Sequence, residues 1–387
     1  MKNKKKICVV SNNRANYARI KSFLLVARKN KKIDLQIITA GSSILAKYGS
    51  IDKILKKDGL KTNLKLHTII EGNEPICMVK TTSQTLNELS TAFQRLKPDV
   101  VLVIGDRYEN LAVAIAASYM NISLAHIQGG EVTGSIDETV RHAISKLSHI
   151  HFACTKRSKS FLVKMGENKK FIYNTGCPSI DLIRNLKKNI DKKFHLRNSG
   201  VGDKIDFKKD YIVVLFHPVT TEYEQNKDYI DNLLKALDLL NNKIQIVILW
   251  PNVDSGTDYI SKAIRIFINR KKNYKVGAFI NFSPEDYIKL IYNSKSLVGN
   301  SSSGIRESSY MGIPVVNIGS RQENRERGKN VEDVKNKKLD IFKAINKQTF
   351  KRKFKKNYLY GDGKSGKRIL DILIKSKISK IKYLNYL

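Results

Sequence analysis

Short apolar runs alternate with amphipathic stretches along the chain, and this alternation constrains the fold more than any other feature. In the first half, the apolar runs lie at residues 6–11, 35–40, 100–105, 123–128, 151–154 and 171–175. In the second half, they lie at residues 211–216, 244–250, 277–280, 296–299 and 314–318. Continuous apolar strands separated by helices are typical of parallel sheets that helices cover on both faces. The sequence therefore predicts an α/β fold with two such sheets.

A polar segment divides the two halves. Residues 187–209 (KKNIDKKFHLRNSGVGDKIDFKK) are highly charged and contain glycine, which is typical of a linker. We therefore predict an N-terminal domain over residues 1–186, a C-terminal domain over residues 210–366 and a C-terminal helical tail over residues 367–387. Two doubly wound domains would face each other across a cleft, and such sheets bind ligands beyond the carboxyl ends of their strands.

The composition restricts the class of protein. A hydrophobic content of 41% is enough for packed cores, and no apolar run is long enough to cross a membrane. Cys8, Cys77, Cys154 and Cys177 have no CxxC spacing, so we expect a reducing cytoplasm and no zinc site. Of 71 basic residues, 54 are lysines spread along the chain, which is typical of solvated surfaces. We expect no membrane or nucleic-acid partner, although the net charge of +36 favours an acidic ligand.

Carboxylates gather after two neighbouring strands of the first half. Asp106 and Arg107 directly follow the third apolar run, and Glu131 and Asp137 follow the fourth run beyond a glycine pair. Asp106 and Asp137 could instead cap the helices that follow them, and Arg107 could bind a phosphate. Glu131 lies in a loop, where capping does not explain it. Carboxylates on neighbouring strand ends can have their pKa values pushed apart, which gives one base and one acid.

Groups suited to an anion follow several other strands. A turn of three serines and a glycine precedes a helix, so backbone N–H groups, hydroxyls and the helix N-terminus could hold a phosphate without a metal. Serine caps and a packed histidine are the alternatives that stay open. The candidate residues of this anion site are Arg14, His217, Ser301, Ser302, Ser303, Gly304 and Arg321. We expect no metal and no cofactor.

Several segments resemble the hydrolysing UDP-N-acetylglucosamine 2-epimerases. They are GDRYENLAVAIAA, HIQGGEVTGSIDETVRHAISKLSHIHF, HPVTTE and GNSSSGIRESSYMGIPVVNIGSRQENRERG, and the resemblance spans residues 5–330 in the same order. The related non-hydrolysing enzymes carry threonine at the position of Arg107 and arginines after the histidine, where this chain has Pro218-Val219-Thr220, which favours the hydrolysing branch. In the first strand, Ser11-Asn12-Asn13-Arg14-Ala15 replaces the usual threonine-glycine-threonine-arginine-alanine of the family.

The resemblance implies a GT-B-like pair of Rossmann-like domains that face each other across a cleft. It also implies conversion of UDP-N-acetylglucosamine to UDP and N-acetylmannosamine for sialic acid synthesis, by elimination to a 2-acetamidoglucal and hydration. Asp106, Glu131 and Asp137 match the catalytic carboxylates of the family, and we expect His217 to assist the leaving group. The nucleotide-binding positions of the family match Arg14, His217, Ser301, Ser302, Glu307 and Arg321. Members usually form homodimers or homotetramers.

Three other functions remain as alternatives. One is a 2-epimerase of a UDP- or GDP-2,4-diacetamido-2,4,6-trideoxy sugar of legionaminic acid synthesis, and another is a GT-B glycosyltransferase. The third is a nucleic-acid-binding protein, which would use the net charge. An NTPase is excluded, because GDGKSGKR at residues 361–368 ends in Arg368 instead of the hydroxyl residue that a P-loop needs.

Overall fold

A computed structural model describes residues 4–46, 50–240, 244–270, 273–383 and 385, and its strands form two seven-stranded sheets. The strands of the first sheet are β1 (Lys5–Ser11), β2 (Ile33–Ala40), β3 (Leu64–Leu66), β4 (Val100–Ile104), β5 (Ser123–Ile127), β6 (Ile150–Ala153) and β7 (Ile172–Asn174). They are all parallel, in the order β3-β2-β1-β4-β5-β6-β7. The strand order reverses between β1 and β4, which makes that pair a topological switch point.

The second sheet repeats this plan. Its strands are β8 (Val201–Gly202), β9 (Tyr211–Leu215), β10 (Gln245–Leu249), β11 (Val276–Phe279), β12 (Leu297–Gly299), β13 (Val315–Ile318) and β14 (Val331–Val334). Their order is β14-β13-β12-β9-β10-β11-β8, and β8 alone among these pairs runs antiparallel to its neighbour. The switch point of this sheet lies between β9 and β12.

Helices cover both faces of each sheet. Those of the first half are α1 (Arg14–Arg28), α2 (Asp52–Lys57), α3 (Pro75–Leu96), α4 (Tyr108–Tyr119), α5 (Ile136–Leu147), α6 (Lys156–Lys164) and α7 (Pro178–Asn185). The others are α8 (Phe194–Arg197), α9 (Asn226–Asp238), α10 (Thr257–Asn269), α11 (Pro284–Asn293), α12 (Ser302–Ile305), α13 (Glu307–Met311), α14 (Lys338–Thr349) and α15 (Ser365–Lys375). Within the described ranges, every helix is too short or too polar to cross a membrane.

The core explains why the strand segments are continuously apolar. On β1, Ile7 and Val9 belong to one buried cluster, whereas Cys8 and Val10 belong to the cluster on the opposite face. Successive side chains of a strand point to opposite faces, so a sheet covered on both sides needs apolar residues at every position. The predicted α/β fold of two doubly wound, GT-B-like domains is confirmed.

The segment at residues 187–209, which its charge predicts to be a linker, is instead packed onto the second sheet. It contains α8 and β8, and β8 pairs with β11. Phe194 is buried and stacks on Phe282, with ring centroids 5.8 Å apart, while Phe207 meets it edge to face at 4.9 Å. Two phenylalanines therefore anchor a segment whose lysines face solvent. We propose that the C-terminal domain begins before residue 210.

The C-terminal helix packs against the first half of the chain. Ile369, Leu370 and Leu373 of α15 are buried in the same cluster as Phe23 of α1. The backbone N–H groups of Ser365 and Gly366 donate to the carboxylate of Asp181, at 2.9 and 2.7 Å. The first turn of α15 therefore binds a carboxylate of its own chain at these two N–H groups.

Candidate functional site

A cavity of about 170 Å³ lies between the two halves of the chain. Its walls come from α1, from the loops after β9, β10, β11 and β12, and from α11. Seven of the residues predicted to bind the nucleotide or assist its departure line it, namely Arg14, His217, Ser301, Ser302, Ser303, Glu307 and Arg321. The structure thus brings together side chains that are up to about 300 positions apart, at the switch points of both sheets.

The serine turn is held in place by contacts from both sides of the cleft. Gly299 ends β12 with φ +134°, and a Cβ there would lie 2.1 Å from the carbonyl oxygen of Leu215, so the turn requires glycine. Ser301 caps α12 by accepting from the N–H of Ser303 at 3.4 Å. Arg19 reaches across from α1 and donates to the hydroxyl of Ser302 at 2.8 Å. Capping thus explains one serine, whereas all three line the cavity.

His217 is buried at the end of β9, and its environment selects one protonation state. Burial lowers the pKa of its imidazole well below the ordinary value, and the nearby charges of Arg321 and Arg14 lower it further. The N–H of Asn252 donates to Nδ1 at 3.3 Å. A neutral ring that accepts at Nδ1 carries its proton on Nε2. His217 is therefore a neutral hydrogen-bond donor at the cavity wall.

Asp106 lies at the end of β4 among arginines. Arg141 of α5 donates to Oδ2 of Asp106, and Nη2 of Arg325 lies 3.7 Å from the same oxygen. Burial alone would raise the pKa of Asp106, but the charges of Arg141, Arg19 and Arg325 outweigh it and lower the pKa below its usual range. Asp106 is therefore ionised. It does not cap α4, because the N-cap position belongs to Arg107.

Glu131 is held from both halves of the chain. Nη2 of Arg306 lies 2.5 Å from its Oε2, and Nε of Arg325 lies 3.5 Å from the same oxygen. Arg141 donates to the carbonyl oxygen of Glu131 at 2.7 Å. Burial opposes ionisation, but these three charges lower the pKa of Glu131. Among the described residues, Oε1 of Glu131 has no hydrogen-bond partner.

Asp137 has a different environment from the other two carboxylates. It lies in the first turn of α5, after the N-cap Ser135, and 30% of its side chain is exposed. Its nearest cation is Arg321, with Nη2 at 3.6 Å from Oδ2. Desolvation and the negative charge of Asp106 raise the pKa of Asp137 above its ordinary value. Of the three carboxyl groups, Asp137 is therefore the one suited to carry and release a proton.

Five predicted site residues do not line the cavity, namely the three carboxylates, Arg107 and Gly304. Arg107 pairs with Glu109, with Nε and Oε2 3.0 Å apart, and with Asp254 of the second half at 2.5 Å. Gly304 is buried in α12, where a Cβ would lie 2.9 Å from the side chain of Val315. Arg107 thus connects the two halves of the chain, and Gly304 lets α12 approach β13.

Four arginines of the site were missed by the sequence-based prediction, namely Arg19, Arg141, Arg306 and Arg325. Arg141 and Arg306 are almost fully buried. Among the described residues, no group of three or more His, Cys, Asp or Glu side chains is arranged to hold a metal ion. The structure therefore supplies positive charge to the site through guanidinium groups.

The fold and the cleft define a two-domain α/β protein of the GT-B-like class, with an anion-binding wall beside a set of carboxylates. The chain belongs to the UDP-N-acetylglucosamine 2-epimerase family. A family model with that description matches residues 26–374.

Two relatives agree with this assignment, and a solved structure has a similar fold. The UDP-N,N'-diacetylbacillosamine 2-epimerase (hydrolyzing) of Legionella pneumophila is 35% identical over 95% of each chain. The GDP/UDP-N,N'-diacetylbacillosamine 2-epimerase (hydrolyzing) of Campylobacter jejuni is 33% identical over 90% of this chain and 89% of that protein. The crystal structure of UDP-GlcNAc 2-epimerase from Neisseria meningitidis bound to UDP-GlcNAc superposes with a TM-score of 0.79. It covers 96% of this chain and 100% of that chain at 21% identity, and it supports the fold.

Proposed function

We propose that the protein is a hydrolysing 2-epimerase of a UDP-activated 2,4-diacetamido-2,4,6-trideoxy sugar. The observation that carries the reaction type is the contrast between ionised Asp106 and Glu131 and the raised pKa of Asp137, beside an anion-binding cavity. The choice of sugar rests on the two relatives named for N,N'-diacetylbacillosamine. UDP-N-acetylglucosamine, the first substrate that the resemblance implies, is the second candidate, supported by the family description.

The first step is elimination of UDP. A carboxylate, Asp106 or Glu131, takes the proton from C2 of the sugar. The electron pair of the C2–H bond becomes the C1=C2 double bond, and UDP leaves with both electrons of the C1–O bond. The product is a 2-acetamidoglycal, and the base acquires one proton. General base catalysis of this kind contributes about 10²–10⁴ to the rate.

The second step is hydration of the glycal. Water adds its hydroxyl to C1, and C2 receives a proton on the face opposite to the one that lost it. We assign this proton delivery to Asp137, because its raised pKa keeps it protonated at a higher pH than the other two carboxyl groups. The remaining proton of water restores the acid, and the base of the first step releases its proton to solvent. One water is consumed, and the products are UDP and a free sugar inverted at C2.

The cavity wall opposite the carboxylates stabilises the departing diphosphate. Arg14, Arg19 and Arg321 line the cavity, and together with the serine hydroxyls they can compensate the charge that develops on the leaving oxygen. His217 can donate from Nε2 without carrying a charge of its own. The site therefore has a carboxylate side for C2 and a cationic side for the diphosphate.

Loss of cavity hydroxyl and imidazole donors should weaken UDP binding. Ser302→Ala and His217→Ala are each expected to raise the Kd for UDP by about tenfold, because each removes a hydrogen bond to a charged group. Isothermal titration calorimetry measures this directly. Ser308→Ala is the matched control, since Ser308 is buried in α13 and does not line the cavity. Unchanged UDP affinity in both cavity variants would mean that the nucleotide binds elsewhere.

The choice of sugar is tested by comparing kcat/KM for the two UDP-sugars. We expect the 2,4-diacetamido-2,4,6-trideoxy substrate to be preferred by about tenfold or more, which corresponds to ~1.4 kcal/mol of transition-state binding. UDP release is quantified, and the free sugar is identified by NMR. The corresponding GDP-sugar tests the nucleotide. A preference for UDP-N-acetylglucosamine would reverse the assignment of the sugar and leave the epimerase reaction in place.

A further inference from the structure

We propose that Arg306 is a positioning residue that couples the nucleotide cavity to Glu131 in the opposite half of the chain. This inference rests on the proposed function, and it takes Glu131, rather than Asp106, as the base of the elimination step. Arg306 does not line the cavity, so it acts through Glu131.

The backbone of Arg306 lies within the segment that we assign to diphosphate binding. This segment runs from Ser301 to Glu307, and we call it the phosphate cradle. Arg306 lies between α12, which begins with the cavity-lining Ser302, and α13, which begins with the cavity-lining Glu307. Its backbone N–H donates to the carbonyl oxygen of Ser302 at 3.0 Å. Any ligand that fixes the serine turn therefore also fixes the backbone from which the guanidinium extends.

The side chain of Arg306 leaves the cradle and enters the first half of the chain. Its guanidinium is 1% exposed, the Glu131 side chain is 3% exposed, and Nη2 and Oε2 are 2.5 Å apart. The guanidinium also lies over the ring of Tyr360, with 5.8 Å between Cζ and the ring centroid. Such a desolvated, charge-assisted contact is strong only at close range, so it fixes the position of Glu131 relative to Arg306.

The two carboxylate oxygens of Glu131 have different environments. Oε2 faces Arg306 and Arg325, whereas Oε1 has no partner among the residues that the structure describes. A carboxylate held through one oxygen presents the other in a fixed direction, which is what a base for C2 requires. The charged and titratable groups that face Glu131 are Arg306, Arg325, Arg141, Tyr360 and Cys154.

The diphosphate side of the cleft and Glu131 are therefore held in one arrangement through a single side chain. Nη2 of Arg306 contacts Oε2 of Glu131, and its charge lowers the pKa of that carboxyl group. This gives a physical link between the backbone beside the serine turn and the carboxylate that abstracts the proton.

The pH dependence of kcat tests this role. In Arg306→Gln, we expect kcat to fall by about 10² while the Kd for UDP stays within about threefold of the wild type. Removing the cation raises the pKa of Glu131, so its ionised form is lost at higher pH, and the acidic limb of the profile should move upward by about one unit or more. Arg306→Lys keeps the positive charge, so the acidic limb of its profile should stay near the wild-type position. Arg265→Gln, which removes an exposed arginine of α10, should change neither quantity.

A double-mutant cycle tests the same role with the milder lysine variant, in case Arg306→Gln does not fold. Arg306→Lys should lower kcat by about tenfold in the wild type and by less than about twofold in a Glu131→Gln background, because the arginine acts through Glu131. Additive losses would overturn the proposal. So would an Arg306→Gln variant that binds UDP normally and keeps its acidic limb in place. If the wild type itself released no UDP from either sugar nucleotide, the proposed function would be at fault instead.

Discussion

Asp106→Asn, Glu131→Gln and Asp137→Asn are each expected to lower kcat by about 10² or more, with a Kd for UDP within about threefold of the wild type. Each substitution keeps the size of the side chain and removes its ability to exchange a proton. The three residues lie on the carboxylate side of the cleft and do not line the cavity that we assign to the nucleotide. Steady-state kinetics and calorimetry with UDP on the same preparations separate turnover from binding.

The three variants should differ in stability. Asp106 and Glu131 compensate buried arginines, so their neutral variants should melt at lower temperature, whereas Asp137 is partly exposed and its variant should melt near the wild type. Glu138→Gln is the control, because Glu138 is the next residue of α5 and its amide can still accept from the N–H of Thr133. Normal turnover in all three carboxylate variants would show that Asp106, Glu131 and Asp137 do not catalyse the reaction.

Arg141→Leu is expected to lower the free energy of unfolding by about 3–5 kcal/mol at pH 7. Arg141 is fully buried and donates to Asp106, to the carbonyl oxygen of Glu131 and to the hydroxyl of Thr133. Leucine would fill part of the space but leave the carboxylate of Asp106 without its main partner. Urea denaturation of both proteins measures the difference.

The pH dependence of this difference has a definite sign. The pKa of Asp106 is lower in the folded protein than its ordinary value, so the ion pair contributes stability above that value and loses it as the pH falls. The gap between wild type and Arg141→Leu should therefore narrow below about pH 4. Arg368→Leu breaks an exposed pair with Asp362 and should cost less than about 1 kcal/mol. If Arg141→Leu lowered the free energy of unfolding no more than Arg368→Leu does, the stabilising role given to the buried Arg141–Asp106 pair would be wrong.

The sequence was sufficient to predict the fold class because strand signals in a doubly covered sheet are strong. The predicted runs match the central strands β1, β4, β5, β9 and β10 to within two residues at each end. The strands that were missed lie at or near the sheet edges, such as β3 and β14. Their sequences, LKL and VEDV, place charged side chains at exposed positions, so the apolar pattern that marks a buried strand is absent.

The arginines of the site were harder to predict because their partners come from distant parts of the chain. Arg306 meets a carboxylate 175 positions away, and nothing in GIRESS distinguishes a buried arginine from an exposed one. Arg141 offered a weak signal, since it lies between Val140 and Ile144 on the buried side of α5. The carboxylates could be recognised from the local sequence, because they follow strands. The arginines that hold them could be identified only from the three-dimensional contacts between the two halves of the chain.

The fate of the C2 proton tests the proposed reaction most directly. The protein is incubated with the UDP-2,4-diacetamido-2,4,6-trideoxy sugar in heavy water, and the products are examined by NMR and mass spectrometry. Elimination followed by hydration predicts UDP and a free sugar that is inverted at C2 and carries one deuterium there. Release of UDP with a free sugar of unchanged configuration and no deuterium at C2 would mean simple hydrolysis at C1, and it would contradict the roles given to Asp106, Glu131 and Asp137.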